Sequence, residues 1–146
     1  MKLALGVLDQ TPIKSGSSAS EAISESIELA KHTDKLGYTR YWVAEHHGMH
    51  GLAGSSPEIL IGHIAENTNR IRVGSGGVML MHYSPYKVAE NFRLLESLFP
   101  NRIDLGLGRA PGSDAYQAGA LAYGSKTTGP EFFATKMNDL KSFLEG

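Results

Sequence analysis

The sequence predicts an α/β fold in which four strand and helix units follow one another along the chain. Short apolar runs typical of buried strands recur at intervals of roughly 32 to 38 residues, the length of one such unit. Between them lie segments whose apolar residues have helical spacing, with signals for helix starts and ends. The 146 residues are 41% hydrophobic and 20% charged, as in an ordinary globular domain, so we predict one domain across residues 1–146.

The first unit carries clear signals at both ends of its helix. An almost continuous apolar run, Leu3–Leu8, stops at Asp9 and predicts a strand that is buried on both faces. Ser18 and, three residues later, Glu21 have the spacing of a capping box, which predicts a helix start. Helical spacing of apolar residues then continues to Gly37, and a glycine there favours the end of the helix.

The other three units follow the same order. Their strands are predicted at Tyr41–Ala44, Ile71–Leu80 and Ile103–Leu107. The second and third helices are predicted to begin at Ser56–Pro57 and Ser84–Pro85, because serine caps a helix and proline suits its first turn. The third helix has an apolar stripe formed by Val88, Phe92, Leu95 and Phe99. A final helix is predicted from Phe132, Phe133, Met137, Leu140 and Leu144.

Composition excludes several classes of partner. The formal net charge is -1 and the Lys and Arg residues are scattered, so no basic patch indicates binding to nucleic acid or to a membrane surface. The apolar start is too short for a signal peptide and no segment approaches a membrane span, so we expect a cytoplasmic protein. The chain has no cysteine, which excludes a thiolate nucleophile or a sulfur-ligated metal.

Four consecutive units imply parallel strands with helices packed outside them. They are compatible with a doubly wound open sheet or with part of a barrel. A complete barrel of eight units needs about 250 residues, and this chain has 146. The unit pattern alone therefore leaves both architectures open.

Four segments, in order and with matching spacing, resemble the luciferase-like, flavin-dependent monooxygenases: Trp42–His47, Arg70–Val78, His82–Glu90 and Asn101–Arg109. The resemblance extends over about residues 1–114. It implies a (β/α)8 TIM barrel of which this chain supplies about the first four βα units, so that residues 1–146 are the N-terminal part of one barrel domain. We expect the half barrel to associate, either as a homo-oligomer or with a second polypeptide that completes the barrel.

The resemblance also implies a chemistry. Members of this family bind reduced FMN, which a flavin reductase can supply, and use O2 to oxidise a small organic substrate. Some branches use the deazaflavin F420 instead, which is the less favoured cofactor here. The alternative is a non-catalytic subunit that holds flavin or serves a structural role beside a catalytic partner.

His46 matches the active-site histidine of the family, and a side chain that titrates near neutral pH suits proton transfer. His47, beside it, is expected to form a hydrogen bond at the rim of the barrel. A metal site is the alternative interpretation of Glu45, His46, His47 and His50. Adjacent histidines on an extended segment point to opposite sides, so we predict no metal.

Ser75, Gly76 and Gly77 interrupt an apolar strand, and glycines there indicate a bulge or a close approach to the backbone. The resemblance implies a non-prolyl cis peptide beneath the flavin ring, which we predict at Ser75–Gly76; a plain packing bulge is the alternative. Arg109 matches an arginine that reaches the FMN phosphate, and its alternative role is a surface salt bridge. Glu90 matches an acidic position of the family, and its alternative is a solvated helix residue.

Met79 and Met81 are predicted to line an apolar substrate pocket beyond the bulge, with ordinary core packing as the alternative. We also expect the concave face of the half barrel to be apolar. Depending on register, it would carry Leu5, Val7, Trp42, Val73 or Leu105.

Overall fold

The computed structural model describes residues 3–110 and 113–146. The strands within these ranges are β1 (Gly6–Asp9), β2 (Arg40–Val43), β3 (Arg72–Met79) and β4 (Ile103–Gly108). The helices are α1 (Ala19–Lys35), α2 (Pro57–Glu66), α3 (Pro85–Leu98), α4 (Ala115–Ala122) and α5 (Phe133–Glu145). Short 3-10 turns span Leu80–His82 and Pro130–Phe132.

The strands form one parallel sheet in the order β1-β2-β3-β4. Buried side chains of α1, α2, α3 and α5 join a single hydrophobic core with residues of the strands, so these helices cover the same face of the sheet. This arrangement confirms the predicted half barrel and excludes the doubly wound sheet, in which helices cover both faces. The other face of the sheet is open and lies on the inside of the barrel.

The core between the sheet and the helices is built from large, fully buried side chains. Tyr41 and Val73 contribute from the strands, and Ile61 and Ile64 contribute from α2. Burying one side chain of this size stabilises the fold by about 1.5 to 3 kcal/mol. The predicted stripe of α3 is confirmed: Val88, Phe92 and Leu95 are buried, and Phe99 packs against them.

Two strand boundaries differ from the prediction. β1 begins at Gly6, because Gly6 pairs with Arg40, the first residue of β2, and the ladder has no earlier partner on that strand. Leu3 is accordingly exposed. β3 ends at Met79, and Leu80 belongs to the 3-10 turn that leads to α3.

The capping box of Ser18 and Glu21 is confirmed, and Gly37 has a left-handed φ of +81° just after α1, as its position predicted. Ser56 and Ser84 occupy cap positions, but their side chains form no capping hydrogen bond. α4 was not predicted. Its start follows from Asp114, whose carboxylate accepts hydrogen bonds from the two amides Tyr116 N and Gln117 N.

The amino ends of the strands are fixed by two charged side chains. Asp34 is buried and its carboxylate accepts hydrogen bonds from three backbone amides, those of Asn69, Arg70 and Ile71. Burial alone would raise the pKa of Asp34, but these donors outweigh it and the pKa lies below its usual value. The guanidinium of Arg102 donates to the carbonyls of Ala65, Thr68 and Ile71 and so caps the end of α2.

The inner face of the sheet is less apolar than predicted. Val73 belongs to the helix-side core and Val7 and Leu105 pack against it, because the register turns these three residues towards the helices. The inner face instead carries an ion cluster in which Asp104 is 3.0 Å from Arg72 Nε and 3.1 Å from Arg40 Nε. The two arginines outweigh burial and lower the pKa of Asp104.

Trp42 is the large inward side chain of β2. It lies beside Gly74 of β3 in the sheet register. A methyl group on Gly74 would be 2.9 Å from the Trp42 ring, and one on Gly76 would be 3.0 Å from Trp42 Cβ. These glycines therefore make room for the indole on the inner face. In residues 3–110 and 113–146, no helix has the length and hydropathy needed to span a membrane.

Candidate active site

The bulge lies in β3, where the register to β4 shifts between Ser75 and Val78. The peptide bond between Gly76 and Gly77 is cis, so the predicted cis bond at Ser75–Gly76 was wrong by one residue. Ser75 keeps regular pairing, and its buried hydroxyl donates to Gly106 O at 2.8 Å. The cis peptide instead joins two glycines. Position 77 favours glycine because a Cβ there would be 2.8 Å from the Leu107 carbonyl carbon.

The bulge leaves bare backbone at the carboxyl end of the sheet. Gly76 is exposed and Gly77 is partly exposed. On the neighbouring strand Gly108 pairs with Met79 and also has no side chain. A flat group can approach this surface closely because no Cβ stands in its way.

His46 lies just beyond the end of β2. Its backbone amide donates to Gly54 O at 2.9 Å, which fixes the main chain of the loop. The side-chain atom Nδ1 is buried and has no hydrogen-bond partner among the described residues. Buried polar atoms are normally satisfied, so the unpaired ring nitrogen makes His46 a candidate for proton exchange.

Glu45, His47 and Tyr83 form a buried hydrogen-bond network beside His46. Oε1 of Glu45 lies 2.6 Å from His47 Nε2, and it also accepts a 2.6 Å hydrogen bond from the Tyr83 hydroxyl. An ionised carboxylate can only accept, so His47 carries a proton on Nε2 when Glu45 is charged. The predicted rim hydrogen bond of His47 is confirmed. Burial and the bond to Glu45 raise the pKa of Tyr83.

The other carboxylate oxygen of Glu45 connects this network to β3. Oε2 accepts a 2.9 Å hydrogen bond from the backbone amide of Met79, the last residue of that strand. Glu45 is 1% exposed. Among the described residues, no group of three or more His, Cys, Asp or Glu side chains is arranged to hold a metal ion.

Arg109 and Met81 line a cavity of about 350 Å³ between the end of β4, the 3-10 turn and α4. The other lining residues are His82, Ala118, Gly119, Ala122, Thr128 and Pro130. The predicted pairing of Met79 with Met81 in one pocket is not seen, since Met79 packs towards Gly108 instead. Met81 and Arg109 thus line the same cavity, and the guanidinium of Arg109 gives its wall a positive charge.

Glu90 lies apart from this group. It is exposed on α3 and forms an ion pair with Lys87 at 3.2 Å. Within the described residues, this ion pair includes no other predicted site residue.

The sequence interpretation missed two residues of the site, Tyr83 and Lys136. Lys136 is 8% exposed, and its ammonium group donates to the carbonyl oxygens of Met81 at 2.9 Å and Tyr83 at 3.0 Å. A signal was available, since Phe133, Lys136 and Leu140 have the i, i+3, i+7 spacing of a buried helix face. Tyr83 had no comparable signal.

The sequence profile described as luciferase-like monooxygenase matches residues 3–127. The chain therefore belongs to the luciferase-like monooxygenase family. Among its relatives in Bacillus subtilis, YwcH is 57% identical over 130 residues, which are 89% of this chain and 39% of YwcH. N-acetyl-S-alkylcysteine monooxygenase from the same organism is 51% identical over 119 residues, covering 78% of this chain and 36% of that protein.

Solved structures show the same fold. Apo-MsnO8 superposes with a TM-score of 0.94 at 44% identity, covering 99% of this chain and 43% of MsnO8. The oxygenating constituent of 3,6-diketocamphane monooxygenase from Pseudomonas putida, solved in complex with FMN, has a TM-score of 0.81 at 21% identity. That match covers 97% of this chain and 39% of that one. The chain thus spans about two fifths of the length of these proteins.

Proposed function

We propose that the protein containing this chain is an FMN-dependent monooxygenase that oxidises a small organic substrate with O2. The observation that carries the proposal is the bare glycine bulge at Gly76–Gly77, which lies at the same sheet edge as His46 and Arg109. Barrels of this kind hold their chemistry at the carboxyl ends of the strands. Reduced FMN, when bound, supplies the electrons that activate O2 for transfer of one oxygen atom to the substrate.

The residues present fit such a cofactor. The exposed backbone at Gly76 would receive the ring system, because no side chain projects from the bulge at Gly76 and Gly77. Arg109, at the wall of the cavity with Met81, would bind the phosphate, since a guanidinium forms paired hydrogen bonds with that anion. Met81 and the small residues of α4 give the cavity a mainly apolar lining.

His46 would move the proton. Its Nδ1 has no partner within the described chain and the residue is partly exposed, so no hydrogen bond at Nδ1 fixes one protonation state of the imidazole. The neighbouring pair of Glu45 and His47 keeps this loop in place through bonds to Tyr83 and Met79. His47 is engaged by Glu45, whereas Nδ1 of His46 has no such partner within the described chain.

The test uses the protein that contains the complete barrel. FMN titration followed by flavin fluorescence should give stoichiometric binding, and reduced FMN should support substrate-dependent O2 consumption when a flavin reductase supplies it. Arg109→Met should weaken FMN binding about tenfold, which corresponds to about 1.4 kcal/mol. Lys141→Met, which changes an exposed cation on α5, is the matched control and should have no effect.

Two results would contradict the proposal. Binding of F420 with no binding of FMN would assign the protein to the deazaflavin branch. FMN binding without turnover, in a protein that restores activity to a catalytic partner, would indicate a flavin-holding subunit.

A further inference from the structure

The segment from Met79 to Tyr83 connects β3 to α3 and supplies Met81 and His82 to the cavity beside Arg109. Beyond Met79, the last residue of β3, the segment forms a single 3-10 turn, in which Tyr83 N donates to Leu80 O at 3.2 Å. A turn of this kind has few internal hydrogen bonds. Its position must therefore be set by contacts with other elements.

Glu45 fixes both ends of the segment from the side of β2. One carboxylate oxygen accepts from the backbone amide of Met79 at 2.9 Å, and the other accepts from the Tyr83 hydroxyl at 2.6 Å. Hydrogen bonds to a buried charged acceptor are stronger than neutral ones, by roughly a factor of two. The two ends of the segment thus have a common acceptor.

Lys136 holds the middle of the segment from α5. Its ammonium group donates to three carbonyl oxygens, those of Leu80 at 3.4 Å, Met81 at 2.9 Å and Tyr83 at 3.0 Å. An ammonium group has three N–H donors, so these acceptors match its full capacity. Burial lowers the pKa of Lys136. A lysine is rarely buried unless it is paired, and here its partners are backbone carbonyls of this segment.

An acidic and a basic side chain, both buried, thus reach this segment from different elements, and Tyr83 bonds to both of them. Glu45 binds the N–H and O–H donors of the segment, and Lys136 binds its carbonyl acceptors. Removing either side chain would leave buried backbone groups without a partner, which is unfavourable. The segment would then move until water or other groups satisfied them.

We propose that Glu45 and Lys136 are positioning residues that hold residues 79–83 as one wall of the flavin site, so that α5 controls cofactor affinity without touching the cofactor. This inference rests on the proposed function, because the cavity beside Arg109 is assigned there to the phosphate end of FMN. Neither side chain takes part in the chemistry. Their effect passes through the position of Met81 and His82.

The test substitutes Lys136→Met in the complete protein, with Lys141→Met on the same helix as the exposed control. In the Lys136 variant, amide hydrogen exchange at Tyr83 and its neighbours in residues 79–83 should be at least tenfold faster, with exchange in the core strands unchanged. The dissociation constant of FMN should rise at least fivefold. Lys136→Arg, which keeps the charge and the donors, should restore most of the affinity.

Unchanged exchange in residues 79–83, or unchanged FMN affinity despite faster exchange, would overturn the inference. Faster exchange throughout the protein would do so as well, because it would indicate a general loss of stability. If the Lys136 variant does not fold, Glu45→Gln replaces it and should accelerate exchange at the Met79 amide. If the unaltered protein binds no flavin, the proposed function fails; local acceleration of exchange would then still support the positioning of this segment, and its absence would overturn it.

Discussion

The sheet has an amino edge, where its strands begin, and a carboxyl edge, where they end, and the two differ in how their polar groups are paired. At the amino edge, Asp34 and Arg102 find partners in the loop amides and helix carbonyls around them, and Asp104 pairs with two arginines on the inner face. At the carboxyl edge, His46 retains a buried nitrogen without a partner among the described residues, and the glycine bulge exposes bare backbone. The amino edge therefore contributes stability, and the carboxyl edge keeps unpaired groups of the kind that the proposed cofactor site needs.

The largest expected effect tests the amino edge. Arg102→Met should lower the free energy of unfolding by about 3 kcal/mol, because several buried carbonyls at the end of α2 lose their donor. Denaturant unfolding measures it. Arg70→Met, which changes a mostly exposed arginine in the loop between α2 and β3, should cost much less. Equal losses in both variants would mean that Arg102 has no special role.

The next effect tests the carboxyl edge. His46→Ala in the complete protein should lower turnover at least tenfold, or about 1.4 kcal/mol in activation free energy, while the free energy of unfolding changes by no more than about 1 kcal/mol. Steady-state kinetics and thermal unfolding check the two parts. A fully active variant would remove His46 from the mechanism, and a strongly destabilised one would indicate a structural role.

A smaller effect concerns the pH dependence of stability, which the amino edge should determine through Asp34. Because the pKa of Asp34 is lowered in the folded state, its contribution to stability is present above its unfolded pKa, near 4, and is lost as the pH falls through the lower folded pKa. Unfolding measured between neutral and strongly acidic pH should show this loss. Asp34→Asn should flatten the curve, and the slope that remains should include Asp104, whose pKa is also lowered.

The smallest effect is a gain. Gly119 lies within α4, and a methyl group there would meet nothing within 4 Å. Gly119→Ala should therefore stabilise the helix by about 0.5 to 1 kcal/mol. Thermal unfolding measures the shift. Since Gly119 also lines the cavity with Arg109, a parallel FMN titration shows whether added bulk at this wall weakens binding.

Most of the fold could be predicted from the sequence, because apolar periodicity and helix caps are local signals. The capping box at Ser18 and the apolar stripe of α3 needed no knowledge of distant residues. The position of the cis bond did need knowledge of the neighbouring strand. The backbone of β4 leaves no room for a Cβ on Gly77, whereas the Ser75 hydroxyl donates a hydrogen bond to Gly106 of that strand. The family resemblance identified His46. The contacts of Lys136 could not be predicted, because they depend on which backbone carbonyls lie beside α5 in the folded chain.

Trp42 gives this half of the barrel a built-in optical reporter. It is the single tryptophan of the 146 residues, and it lies on the inner face between glycines next to the bulge. Flavins absorb in the range where an indole emits, so a flavin bound as proposed would quench Trp42 emission by energy transfer. The same glycines that make room for the indole thus place a fluorophore where ligand arrival can be timed without a label.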